Sequence, residues 1–86
     1  MADYSISFAR SARKELEVLP SPLIQRIFKK IEGLARNPRP ARSKKLQGSR
    51  DLYRIRVGDY RVVYSIFDRE VRIEIVTIRH RSKAYD

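Results

Sequence analysis

The stretch Leu52-Tyr53-Arg54-Ile55-Arg56-Val57-Gly58-Asp59-Tyr60-Arg61-Val62-Val63-Tyr64 constrains the fold more than any other, because its register can be read from the residues alone. Two alternating runs flank Gly58-Asp59, and a glycine leading a two-residue loop suits a type II′ hairpin turn. With that turn, Val57 faces Tyr60, Arg56 faces Arg61, Ile55 faces Val62, Arg54 faces Val63 and Tyr53 faces Tyr64. Strand side chains alternate, so Tyr53, Ile55, Val57, Tyr60, Val62 and Tyr64 share one face, the expected core. Arg54, Arg56 and Arg61 share the other. Like charges paired across strands destabilise a sheet. Stability alone therefore does not choose this face, and it points to a polyanion, phosphate first, although exposed strand faces also carry arginine as simple solvated surface.

Around the hairpin the period of the apolar residues changes several times. Tyr4, Ile6 and Phe8 alternate with Ser5 and Ser7, which predicts a short first strand. From about Ser11, Ala12, Leu16 and Leu19 lie along one helical stripe with Arg13, Lys14 and Glu17 outward, and Pro20 ends it. Ser21-Pro22 reads as an N-cap followed by proline at the first helical position. Leu23, Ile24, Ile27, Phe28, Ile31, Leu34 and Ala35 then form a wide apolar face, stopped by Asn37-Pro38. Two helices joined so tightly pack as an αα-hairpin, and the Tyr/Ile/Val face of the β-hairpin is the partner their stripes need. Residues 37 to 51 form one long, basic loop with Leu46 as its anchor. After the hairpin, Ser65-Ile66-Phe67 extends the third strand, Asp68-Arg69-Glu70 is turn-like, and residues 71 to 78 make the fourth strand.

Composition narrows the partners. Lys and Arg number 20 against 10 Asp and Glu, a net charge of +10 on 86 residues. Such an excess steers a protein toward nucleic acid, an anionic membrane or an acidic protein. Cysteine is absent, which excludes disulfides and thiolate metal sites, and one histidine argues against a His-based zinc site. No cofactor and no metal are expected. With neither a signal-like apolar run nor a stretch of membrane-spanning length, the expectation is one domain, residues 1–86, soluble and cytoplasmic, with no membrane partner.

The order βααβββ, the segment Lys45-Leu46-Gln47-Gly48, the hairpin itself and the ending Arg79-His80-Arg81-Ser82-Lys83-Ala84-Tyr85 together resemble the RelE/ParE superfamily of toxins from type II toxin–antitoxin systems. The resemblance spans nearly the whole chain. It implies an α+β fold with the helical hairpin on one face of a small antiparallel sheet and a concave basic surface on the other. On its RelE-like branch it implies a ribosome-dependent endoribonuclease, an mRNA interferase that cleaves messenger RNA in the A site. The ParE-like branch shares the fold, lacks the cleavage residues and inhibits DNA gyrase. A plain nucleic-acid-binding relative without activity is a third reading. Either branch implies a cognate antitoxin (RelB-like here); the positive charge makes it acidic. The toxin alone is expected to be a monomer, and a hetero-oligomer with its antitoxin.

Carried over residue by residue, the resemblance assigns Arg54 and Arg56 to the catalytic surface and Arg61 to the scissile phosphate. Arg79 falls at the end of the last strand, and Tyr85 is the terminal tyrosine. All five positions hold competent residues, which favours the RelE-like branch. The RNA's own 2′-hydroxyl would attack the adjacent phosphate, without a metal. Arginine forks match phosphate oxygens, but arginine stays protonated and cannot serve as the base. Tyr85, whose phenolate neighbouring cations would favour, and His80, with its near-neutral pKa, are the two candidates for the proton. Arg42, Lys44, Lys45, Arg50, Arg81 and Lys83 are the expected RNA- or ribosome-binding positions. Strand parity raises one conflict. With a two-residue turn at Arg69-Glu70, Arg61 pairs with Ile78, which turns His80 toward the arginine face and Arg79 away from it. A bulge or a different turn length would reverse the two.

Overall fold

The computed structural model describes residues 3–83. Its elements in chain order are β1 (Ser5–Phe8), α1 (Arg10–Glu17), α2 (Ser21–Arg36), β2 (Lys44–Lys45), β3 (Leu52–Val57), β4 (Tyr60–Phe67) and β5 (Arg72–His80). The β3–β4 hairpin has the register its sequence dictates, from Tyr53 opposite Tyr64 to Val57 opposite Tyr60. Gly58 has φ +60, and no positive φ is found at Asp59, as a type II′ turn requires. Ile55, Val57, Val62 and Tyr64 are buried against Ala12 and Leu16 of α1 and Ile27, Ile31 and Leu34 of α2. Ile73, Ile75 and Ile78 complete this core from β5. Burying each of these large side chains contributes about 1.5–3 kcal/mol.

The helical hairpin covers one face of the sheet, as expected, but the sheet is mixed rather than wholly antiparallel. Its order is β1-β5-β4-β3-β2, and β1 runs parallel to β5. The parallel pair follows from the crossover through both helices, which no local pattern encodes. Within the loop expected at residues 37 to 51, Lys44 and Lys45 pair with Arg54 and Tyr53 as a two-residue edge strand.

The helix ends also differ from the sequence reading. α1 closes at Glu17, so Leu19 lies beyond it while still packing on the core. Pro20, not Ser21, occupies the N-cap position of α2, and no side chain caps it. The Pro20 carbonyl instead accepts from the backbone N–H groups of Leu23 and Ile24, both at 3.0 Å.

The connection from β4 to β5 is a 3-10 turn over Asp68–Glu70, closed by Val71 in the left-handed region at φ 51. This replaces the expected two-residue turn and removes Val71 from the strand. Ile66 still pairs with Ile73, as the shorter turn would also give. The register then slips by one residue between Val63 and Tyr64, where Tyr64 pairs with Ile75 but Val63 pairs with Thr77. Val76 is the extra residue of a β-bulge. Its carbonyl accepts from the Ser11 hydroxyl of α1 at 2.9 Å. Helix α1 runs along the edge of β5 that β1, ending at Phe8 opposite Ile75, leaves uncovered.

Candidate functional site

The bulge decides what faces outward. Beyond it, Arg61 is opposite Arg79 and Tyr60 is opposite His80, so the Arg61–Ile78 pairing of the unbulged register does not form. Arg56 is opposite Arg61 on the other side. Arg56, Arg61 and Arg79 therefore stand in one row across three adjacent strands, on the face away from the helices. One step along the sheet, Lys44 pairs with Arg54, which pairs with Val63, and both cations share that face.

The members of the row differ in exposure. Arg56 is exposed and Arg54 half-buried. Arg61 is only 6% exposed, which overturns its expected place on the open surface. It lies in the middle of the row, with an arginine on either side. Charges so placed raise the electrostatic energy of the folded state, and an anion laid across them lowers it.

Arg79 is tied to α1. Its Nε donates to Glu15 Oε2 at 2.7 Å, and the other oxygen of the same carboxylate accepts from the Ile78 backbone N–H at 2.9 Å. Glu15 thus satisfies the bare edge of β5 and fixes the base of the Arg79 guanidinium. A sequence reading that placed only Arg13, Lys14 and Glu17 on the outer side of α1 passes over it. The available signal was an acid one helical turn beyond Ser11, which holds the same strand edge.

His80 is on the opposite face from the arginine row. Its ring meets Tyr60 edge-on at 5.3 Å and lines a recess of about 350 Å³ between α1 and the end of β5. The Ser82 backbone N–H donates to Nδ1 at 3.2 Å, so the neutral ring carries its proton on Nε2. Tyr85 lies outside the described residues. Of the expected RNA-binding positions, Arg42, Lys44, Lys45, Arg50, Arg81 and Lys83 are all exposed. They do not form one patch: Lys44 borders the arginine row, Arg81 lies 3.9 Å from Asp59, and Lys83 lines the His80 recess.

A second cluster, unforeseen from the sequence, pins the long loop. Arg39 Nη2 is 2.8 Å from Asp68 Oδ2, its Nε donates to the Tyr53 hydroxyl at 3.1 Å, and Tyr4 donates to Asp68 Oδ1 at 2.8 Å. The bonds from Arg39 and then Tyr4 hold the Asp68 carboxyl below the usual carboxylate range. Donation to Asp68 raises Tyr4 above the ordinary phenol value. Burial pushes Tyr64 up to about 12, and its hydroxyl donates to the Pro38 carbonyl at 2.7 Å. Among the described residues no three His, Asp or Glu side chains gather in a way that could hold a metal ion, and no helix is long and apolar enough to cross a membrane.

Residues 6–85 match the family model described as ParE toxin of the type II toxin–antitoxin system parDE. A putative RelE-like toxin protein of Escherichia coli is 33% identical, over 96% of this chain and 90% of that protein. The mRNA interferase toxin RelE of Escherichia coli strain K12 is 31% identical, over 95% of this chain and 90% of its own length. Among solved structures, the archaeal RelE–RelB complex from Pyrococcus horikoshii OT3 superimposes with a TM-score of 0.83 at 32% identity, covering 95% of this chain and 99% of the other. Fold, length and sequence agree across these comparisons, and the chain belongs to the RelE/ParE superfamily of type II toxins, on its RelE-like branch.

Proposed function

We propose that this chain is the toxin of a type II toxin–antitoxin pair and a messenger-RNA endoribonuclease acting at the ribosome. The observation that carries the reading is the row Arg56–Arg61–Arg79, three forked donors aligned across β3, β4 and β5. Relatives named mRNA interferase supply the substrate class.

In this scheme the 2′-hydroxyl of the RNA attacks its own adjacent phosphorus and the bond to the next 5′-oxygen breaks. The products are a 2′,3′-cyclic phosphate and a 5′-hydroxyl. Arg61 supports the charge that builds on the phosphoryl oxygens, with Arg56 and Arg79 holding the phosphate from either side. A donor fixed in advance in this way commonly accelerates by about a hundredfold, or about 3 kcal/mol. Glu15 engages Arg79 through Nε, which leaves its Nη groups for the ligand. Arg54 and Lys44 extend the track along the strand. Tyr85 is the proton acceptor in this reading, because His80 is turned to the helix side.

The partner is an acidic antitoxin of the RelB kind, in keeping with the complex that the similar archaeal structure records. The family model carries the ParE description, which makes a non-cleaving gyrase inhibitor the second reading. One experiment separates them. The purified chain is added to a translating extract, messenger ends are mapped, and gyrase supercoiling is assayed in parallel. The expected result is new 5′-hydroxyl ends within translated frames, reduced about a hundredfold in rate in Arg61→Gln, with supercoiling unaffected. Inhibited supercoiling with intact messenger overturns the cleavage reading.

A further inference from the structure

The outer face of the sheet continues past the arginine row and loses its positive charge on the way. Beyond the row Arg54–Val63–Thr77, Ser65 of β4 is opposite Glu74 of β5, which is in turn opposite Ser7 of β1. In the next row Phe67 is opposite Arg72. Glu74 is the one acidic residue in any of the strands. Its neighbours along β5, Ile73 and Ile75, are buried in the core, so the carboxylate belongs to the same face as the arginines. It is half-buried on an interior strand, where an unpaired charge is costly. Yet among the described residues Glu74 has no ion pair and no side-chain hydrogen bond. The next cation along its own strand face, Arg72, is directed elsewhere. Its Nε is 3.1 Å from Glu70 Oε1, and its guanidinium lies over the Phe67 ring at 4.2 Å. Stability does not account for this acid, and neither does phosphate binding, which it opposes.

We propose that Glu74 is a specificity-determining residue, which reads the Watson–Crick edge of one base of the RNA and selects guanine. The proposal rests on the RNA-directed reading of the chain. A ligand covering both places must bring anionic oxygens to the arginines and hydrogen-bond donors to Glu74. A nucleotide strand does this, with phosphates along its backbone and N–H groups on its bases. An ionised carboxylate only accepts, so the edge it meets must donate. Guanine presents N1–H and N2–H side by side, which match the two oxygens of one carboxylate. Cytosine and adenine offer a single amino group beside a ring nitrogen that accepts, and this nitrogen repels the second oxygen. Uracil sets its one N–H between two carbonyls. Arg61 and Ser65, which is opposite Glu74, are about 13 Å apart along β4, so the base read stands at one fixed distance from the bond that breaks. The Arg72–Phe67 pair, one row on, offers a guanidinium plane on which a base can stack. Stacking there holds the base edge toward Glu74.

The test has two arms. In the translating extract, cut sites are mapped on a messenger library in which each base near the cut is varied. Wild type should favour guanine at one position by at least about fivefold, the lower end of what a bidentate base contact gives. Glu74→Gln carries one acceptor and one donor, the pair that matches adenine, so the preference at that position should pass from guanine to adenine. Glu74→Ala should lose the preference there. In the second arm, single-stranded RNA hexamers that differ by one guanine-to-adenine change are bound to the same three proteins. Wild type should bind the guanine hexamer more tightly, and Glu74→Gln the adenine one. A base profile shared by all three proteins overturns the proposal, because the preference then does not come from Glu74. A uniform loss of cutting and binding in both variants, with an unchanged profile, makes Glu74 structural and overturns it too. The hexamers are bound rather than cut. A chain that cleaves no messenger therefore refutes the cleavage reading, while the exchange of base preference still decides the role of Glu74.

Discussion

Removing Glu15 tests whether one carboxylate holds both the edge of β5 and Arg79. Two contributions are lost in Glu15→Ala. The bond from the Ile78 N–H, at 2.9 Å to a charged acceptor, contributes about 1.5–3 kcal/mol. The Arg79 pair joins side chains that are 44% and 26% exposed, so solvent screening limits it to about 0.2–1 kcal/mol. Their sum, about 2–4 kcal/mol, corresponds to a fall in Tm of about 8–32 °C for a domain of this size. Glu15→Gln keeps an acceptor for the Ile78 N–H and loses the ion pair and the charge assistance. It should cost about 1 kcal/mol, or about 4–8 °C. Thermal melts of the two variants give the totals, and hydrogen exchange of the Ile78 amide assigns the difference to the strand edge. The amide should exchange faster in Glu15→Ala and remain protected in Glu15→Gln. Equal melts for the two variants, with equal protection of Ile78, would refute the assignment.

Three further outcomes are expected. Tyr85→Phe should slow single-turnover cleavage by more than about tenfold with an unchanged melt, whereas His80→Gln should leave the acidic limb of the pH–rate profile in place; near-normal cleavage by Tyr85→Phe at neutral pH removes Tyr85 as the proton acceptor. Asp68 is held below the usual carboxylate range, so the stability it adds is present above its unfolded pKa of about 3.9 and is lost as pH falls through its lower folded value. Wild type and Asp68→Asn should therefore differ at pH 6 and draw together as the pH falls below the unfolded value of about 3.9, and a constant difference across that range contradicts the linkage. Tyr64, pushed up to about 12 by burial, has the opposite sign: its contribution is complete below the unfolded pKa of about 10 and is lost as pH rises through 12. The melt should drop steeply between those values in wild type and less so in Tyr64→Phe, which starts lower by about 1 kcal/mol for its lost bond to Pro38.

The hairpin was fully legible because every constraint on it is local: a turn glycine, a period of two, and a single face rich in Tyr, Ile and Val. The apolar stripe of α2 was legible for the same reason. Arg54, Arg56 and Arg61 could be placed on one face from parity alone, but the burial of Arg61 could not, since parity fixes the face of a side chain and not what packs over it. Elsewhere the missing information is tertiary. Ile75-Val76-Thr77-Ile78 contains no bulge signal; the extra residue is held by a hydroxyl on α1. Lys44-Lys45 has little strand propensity and becomes a strand because the edge of β3 is there to pair with. Ser21 looked like an N-cap, yet the chain enters α2 one residue earlier, through Pro20. His80 and Arg79 were exchanged in the unbulged register for one reason only, the uncounted Val76.

That residue has a consequence for how this chain is compared with its relatives. Deleting Val76 would leave the charge untouched and would keep every pairing from Thr77 to His80, because Thr77 would then follow Ile75 directly, as Val63 opposite it adjoins Tyr64. It is pairing Val76 in line, without the bulge, that would exchange Arg79 with His80 and turn Ile78 from the core to the outer surface. An alignment that opens a gap in this strand a few positions to one side scores almost the same, while assigning the outward-facing role to the wrong neighbour. Homologues are therefore best matched here by strand phase, counted from the Phe67–Arg72 pair, and a one-residue length change in β5 says nothing about the outward face until the bulge has been located.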